Sequence, residues 1–251
     1  MTDADLARRA LALLDLTELG DSAADADVAA LCARAKGGAG LPAVAAVCVW
    51  PRHVALARGL VGTIPVATVV NFPTGADPLS DVVQETREAL AAGADEIDLV
   101  LPYRDFLAGD LASAEVMVRT IRAAAKGKVL KVILETGVYP SLEAIRAAAD
   151  LAIAAGADFI KTSTGKVKTG ATPEAARAML EAIRDSGRAV GLKPSGGIRT
   201  LEDARAYLGL ADAIMGPDWA TPHSFRFGAS GLHGALAAVI GGAAAPSGTG
   251  Y

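Results

Sequence analysis

At 251 residues, 52% hydrophobic and 21% charged, the chain can bury a sizeable core. A formal net charge of −4 leaves no basic excess, which excludes nucleic acid as the expected partner but leaves room for a small phosphorylated ligand in a local anion site. Cys32 and Cys48 make no disulfide framework, MTDADLARRA has no apolar signal core, and the longest apolar run, GALAAVIGGAAAP, is too short for a bilayer, so a cytoplasmic protein without membrane contact is expected.

In chain order, LARRALALLDL (6–16) and a stretch at about 24–36 read as helices that cap the fold ahead of its first strand. Short β-rich runs then alternate with alanine-rich helical stretches. The predicted strands are 43–50, 66–72, 96–102, 130–136, 158–164, 190–195, 212–216 and 225–230. The helices between them include 81–93, 142–156 and 173–187, with glycines at their ends and Thr172-Pro173 as a cap and first-turn proline.

Eight near-continuous apolar strands separated by helices indicate a parallel sheet covered by helices, and eight units in this length predict an α/β (β/α)8 TIM barrel with an added N-terminal helical cap. The structural alternative is an open doubly wound sheet, but VCVWPRHVA lacks the glycine-rich turn that such a sheet carries after its first strand. A single barrel domain over 1–240 and a flexible tail over 241–251 follow.

Alternation along a barrel strand separates side chains that face the helices from side chains that face the interior. With Ile97, Leu99 and Leu101 under helices, Asp98 points inward; likewise Lys161 follows Ile160 and Lys193 follows Leu192. Lys131 and Glu135 share one face of their strand. One reading is a buried ion-pair network that fixes register. The other is a reactive site, since barrel interiors are usually filled with branched apolar residues. A free lysine amine titrates near pH 10.4; a second ammonium about 5 Å away opposes protonation by roughly 3 kcal/mol, or about 2 pKa units. Burial acts in the same direction. One lysine then becomes a nucleophile toward a carbonyl, with the aspartate as proton carrier: the equipment of Schiff-base chemistry.

The blocks LLDLTEL, VCVWPRHV, VATVVNFPTG, ETREALAAGADEIDLVLPYR, LKVILETG, GADFIKTSTGK, GLKPSGGIRT and GPDWATPHSFRFGAS resemble, in order and over nearly the whole chain, the 2-deoxyribose-5-phosphate aldolases, class I aldolases of barrel fold. The resemblance implies that Lys161 forms the Schiff base, Lys193 perturbs its pKa and relays protons, and Asp98 is the acid/base residue. Asp15 is implied as a supporting catalytic group, with Thr17 and Lys131 beside it. The implied reaction is reversible cleavage of 2-deoxy-D-ribose 5-phosphate to acetaldehyde and D-glyceraldehyde 3-phosphate, in deoxynucleoside catabolism. The imine is its own electron sink, so neither metal nor cofactor is expected, and His53, His223 and His233 form no metal-binding pattern.

A phosphate site is expected at the late strands. It matches the family's at Gly165, Lys166, Gly196, Gly197, Arg199, Gly228 and Ser230, with Gly231 standing where some relatives have a second serine. In the resembled branch a terminal tyrosine assists proton transfer, a role that would fall to Tyr251. Cys48 reads as a core thiol, open to enal adducts only if the cleft reaches it. Barrels of this kind often pair through surface helices, and a homodimer is expected, although no apolar stripe marks its face. Two rival readings stay open: a Schiff-base barrel acting on a different phosphosugar or short aldehyde, and a phosphosugar sensor without catalysis.

Overall fold

A computed structural model describes residues 1–242; the expectations for the tail and for Tyr251 concern 243–251, which lie outside the described residues. Eight strands form one sheet: β1 (Leu14–Glu18), β2 (Ala46–Val49), β3 (Val66–Val70), β4 (Glu96–Val100), β5 (Val129–Ile133), β6 (Phe159–Lys161), β7 (Gly191–Lys193) and β8 (Phe227–Ala229). All pairings are parallel. Neighbours run in sequence from β1 to β7, with β8 against β1, and the bridges Leu192–Phe225 and Ser195–Gly228 close the cylinder. This is the predicted TIM barrel.

Among the described residues ten α-helices surround it: α1 (Asp3–Ala12), α2 (Asp25–Ala35), α3 (Val54–Val61), α4 (Leu79–Ala91), α5 (Tyr103–Leu107), α6 (Leu111–Ala124), α7 (Leu142–Ala154), α8 (Pro173–Ser186), α9 (Leu201–Met215) and α10 (Leu232–Ile240). Thr172 caps α8 from its hydroxyl, Pro173 opens the helix, and Gly187 ends it in the left-handed conformation. Outward-facing residues such as Ile97, Leu99, Leu130, Ile160 and Leu192 are fully buried beneath these helices and form the main core.

Two expected elements differ. The helix expected over 6–16 is shorter: α1 stops at Ala12, and Leu14–Glu18 is the first barrel strand. Its leucine-rich approach satisfies a helical period, but from Leu14 onward the pattern alternates, with Leu14 and Leu16 outward under helices and Asp15 inward. α2 is therefore a barrel helix between β1 and β2, and only α1 precedes the barrel. It packs on α10 and α9, and Arg9 pairs with Asp212 at 2.7 Å. The second difference is 212–216, expected as a strand. These residues complete α9, where Asp212 faces Arg9, and the helix ends at Gly216. The strand total survives because one missed strand balances one false one. Among the described residues no helix is long and apolar enough to cross a membrane.

Candidate active site

The barrel interior carries a continuous ionic cluster instead of an apolar filling. Asp15 enters from β1, Glu96 and Asp98 from β4, Lys131 from β5, Lys161 from β6, Lys193 from β7, and Arg226 from the residue before β8; none is more than 4% exposed. Parallel register sets Asp98 beside Lys131 and Lys161 beside Lys193, so period-two alternation delivers charges from four adjacent strands to one space.

One carboxylate oxygen organises the upper part. Asp98 Oδ2 accepts from Lys161 Nζ and from Lys193 Nζ, each at 2.7 Å, so the two amines lie within about twice that distance of each other. Asp98 Oδ1 accepts from Lys131 Nζ at 2.9 Å. Below, Asp15 Oδ2 lies 2.5 Å from Lys193 and 3.3 Å from Lys131, and Glu96 Oε2 lies 2.5 Å from Lys131. Arg226 closes the lower end, with Nη1 2.5 Å from Asp15 Oδ1 and Nη2 3.0 Å from Glu96 Oε1.

The three lysines are partnered unequally. Lys131 contacts three carboxylates, Lys193 two, and Lys161 only Asp98, which it shares. Burial disfavours the charged form of each amine, and attraction must offset it. For Lys131 and Lys193 the paired carboxylates prevail and the pKa rises above the ordinary lysine value. For Lys161 burial prevails, assisted by the charge on Lys193, and the pKa falls. From the residues alone, cationic crowding is expected to be the larger cause. In the structure desolvation comes first, and the attraction of Asp98 exceeds the repulsion of Lys193. The three surrounding lysines hold Asp98 well below the usual carboxylate range, against the cost of burial.

Lys161 lies in the floor of an open cleft of about 660 Å³. Gly165, Lys166, Gly196, Gly197, Arg199, Gly228 and Ser230 all line it, as do Thr17 and Gly231. Asp15, Asp98, Lys131 and Lys193 lie behind Lys161 and do not line it. Ile198 and Arg199 precede α9, and Ser230 and Gly231 precede α10, so two helix N-termini begin behind the wall, where an anion is favoured. Lys166 turns its ammonium to Asp21 at 2.6 Å and over the Trp50 ring at 5.7 Å. Thr17 donates its hydroxyl to the carbonyl of Asp15, two residues earlier, at 2.8 Å. Cys48 is fully buried and absent from the cleft wall; burial pushes its thiol up.

Gly228 is required by close approach. A Cβ there would lie 2.0 Å from Ser195 Oγ and 3.0 Å from Lys193 Cε. We expect Gly228→Ala to cost about 1–3 kcal/mol in urea unfolding through overpacking, with part of the loss recovered by adding Ser195→Gly.

Glu96 and Arg226 were missed as site residues. Alternation from Asp98 reaches Glu96, and alternation between the outward Phe225 and Phe227 reaches Arg226, although Arg226 lies just before β8. Glu135, expected on the strand face with Lys131, lies beyond β5 in the left-handed region at φ 62° and accepts from the backbone N–H and hydroxyl of Thr164. Burial raises its pKa.

The sequence pattern of the DeoC/LacD family aldolases matches residues 9–229. A curated deoxyribose-phosphate aldolase of Agrobacterium fabrum (strain C58) is 53% identical over 246 residues, covering 96% of this chain and 94% of the relative. Among solved structures, the deoxyribose phosphate aldolase of Aeropyrum pernix, described as a unique tetramer, superposes with a TM-score of 0.75 at 28% identity, covering 95% of this chain and 92% of that one. A candidate deoxyribose-phosphate aldolase of Toxoplasma gondii ME49 gives 0.88 at 26% identity, covering 95% of each chain. With an aldolase pattern spanning nearly the whole barrel, this chain belongs to the DeoC/LacD aldolase family.

Proposed function

We propose that this chain cleaves 2-deoxy-D-ribose 5-phosphate reversibly to acetaldehyde and D-glyceraldehyde 3-phosphate through an imine on Lys161. It is an aldehyde-lyase of the deoxyribose-phosphate aldolase kind, supported by its identity to the Agrobacterium fabrum relative. The observation that carries the mechanism is the position of Lys161: on the cleft floor, nearly buried, with only a shared carboxylate as partner.

Neutral Lys161 adds to the C1 aldehyde, and loss of water leaves an iminium. Asp98 and Lys193 supply and recover the protons of these steps through their common contact. As a base takes the C3 hydroxyl proton, the C2–C3 bond breaks and its electron pair passes into the iminium as an enamine. Glyceraldehyde 3-phosphate leaves. Protonation at C2 and addition of water then release acetaldehyde and restore the amine. Lys193 returns to its charged form after each transfer because Asp15 holds it from the other side, with Lys131 supporting both carboxylates. Thr17 serves the substrate from the cleft wall. The phosphate is received by Gly165, Lys166, Gly196, Gly197, Arg199, Gly228 and Ser230 at the cleft rim, where Lys166 would exchange Asp21 for the anion. A proton-transfer role for Tyr251, a homodimeric assembly and a cytoplasmic location complete the reading.

Borohydride reduction in the presence of acetaldehyde tests it. The Lys161 peptide is expected to gain an ethyl-sized mass, found by peptide mass spectrometry; an unmodified Lys161 would defeat the reading and favour a binding barrel.

A further inference from the structure

Together the buried cluster holds four cationic side chains, Lys131, Lys161, Lys193 and Arg226, against three carboxylates, Asp15, Glu96 and Asp98. Fully ionised, it carries one positive charge in excess, inside a low-dielectric cylinder where an uncompensated charge is costly. Losing one proton makes it neutral. Arg226 cannot give that proton up, because a guanidinium stays charged in proteins. The deficit therefore falls on a lysine, and Lys161 has the fewest carboxylates.

We infer that Arg226 is a positioning residue of the reaction: from the barrel floor, its permanent charge occupies Asp15 and Glu96 and so keeps the cluster one anion short, which makes Lys161 give up its proton. This inference rests on the reading of Lys161 as nucleophile. Arg226 reaches no substrate; it acts through Asp15, which bonds it on one oxygen and Lys193 on the other. Its guanidinium is fixed by the Pro222 carbonyl, by Glu96 and by the Phe159 ring 5.6 Å away. The groups facing Lys161 are Asp98 from β4, Lys193 from β7, the neutral thiol of Cys48 from β2 and, from beyond β5, Glu135, whose burial favours its neutral form. Glu135 makes no ion pair with any of the four cations and bonds Thr164 instead. A purely structural plug at the barrel floor would predict loss of stability, but no signed effect on a titration at the opposite end.

The test is the pH dependence of kcat/KM for the phosphorylated substrate, whose acidic limb reports the free amine. Removing a cation should raise the Lys161 pKa, and removing an anion should lower it. Arg226→Met is expected to move the limb up by about one pH unit and Glu96→Gln to move it down by about one. The double variant restores the parent imbalance and should return the limb to within about half a unit of the parent. Limbs that coincide with the parent's, or that move in the same direction in both single variants, overturn the inference. Glu96→Gln is isosteric, and its shift alone decides the matter if the Arg226→Met chain does not fold. Borohydride trapping of each variant separates the two levels of the argument. An adduct on Lys161 with unmoved limbs refutes only the role of Arg226, whereas no adduct in the parent refutes the nucleophile itself.

Discussion

Lys161→Ala is expected to lower kcat/KM by about 10⁴-fold or more while leaving the barrel folded, because among the described residues the other lysine lining the cleft, Lys166, is paired with Asp21. Steady-state assay of acetaldehyde release measures the loss. The thermal consequence is less intuitive. Deleting a buried lysine usually strands a carboxylate, but Asp98 keeps Lys131 and Lys193, and the cluster left behind has three cations for three carboxylates. A lysine whose folded pKa lies below its unfolded value destabilises the fold at every pH where the unfolded chain is protonated, that is, below about 10.4. Removing it lifts that cost, so the melting temperature of the alanine variant at pH 7 should equal or exceed the parent's. A melting temperature several degrees lower would mean that Lys161 is a structural ion-pair member, contrary to its single shared partner.

Asp98→Asn should damage both activity and stability. The amide keeps the shape but removes the charge on which three lysines converge, leaving four cations with two carboxylates. Breaking such a buried network costs about 3–5 kcal/mol, or roughly 10 °C in melting temperature for a domain of this size. Loss of the proton carrier should lower kcat by about 10²–10⁴-fold. The pH dependence supplies the sign. Asp98 titrates well below its unfolded value, so its stabilisation is complete above about pH 4 and is lost as pH falls through the folded pKa. The gap in unfolding free energy between parent and Asp98→Asn should therefore be widest near neutrality and narrow below about pH 4. A gap independent of pH would assign the loss to packing and not to charge.

Much of the site is legible in the sequence because strands repeat every two residues. Once Ile97, Ile160 and Leu192 are placed beneath helices, Asp98, Lys161 and Lys193 have only the interior left to face. The same rule reaches Glu96, two residues before Asp98. Reading 6–16 as one helix hid the start of the first strand, and with it the reason that Asp15 belongs to the cluster: a leucine-rich segment satisfies the helical and the alternating patterns equally well over a few residues. DAIMG failed in the opposite direction. A short apolar run was read as a strand, although its aspartate pairs with Arg9 on a neighbouring helix.

By itself the amino-acid order determined the barrel class, the inward placement of the three central ionisable groups and the glycine-rich rim, since each depends on local periodicity or on backbone freedom. Which amine has its pKa lowered was decided only by the tertiary structure. That outcome depends on how many carboxylates from other strands each lysine meets, and on an arginine more than sixty residues from Lys161 that takes its share of them. Such pairings join chain segments far apart in sequence, and closure of the cylinder is what brings them within bonding distance.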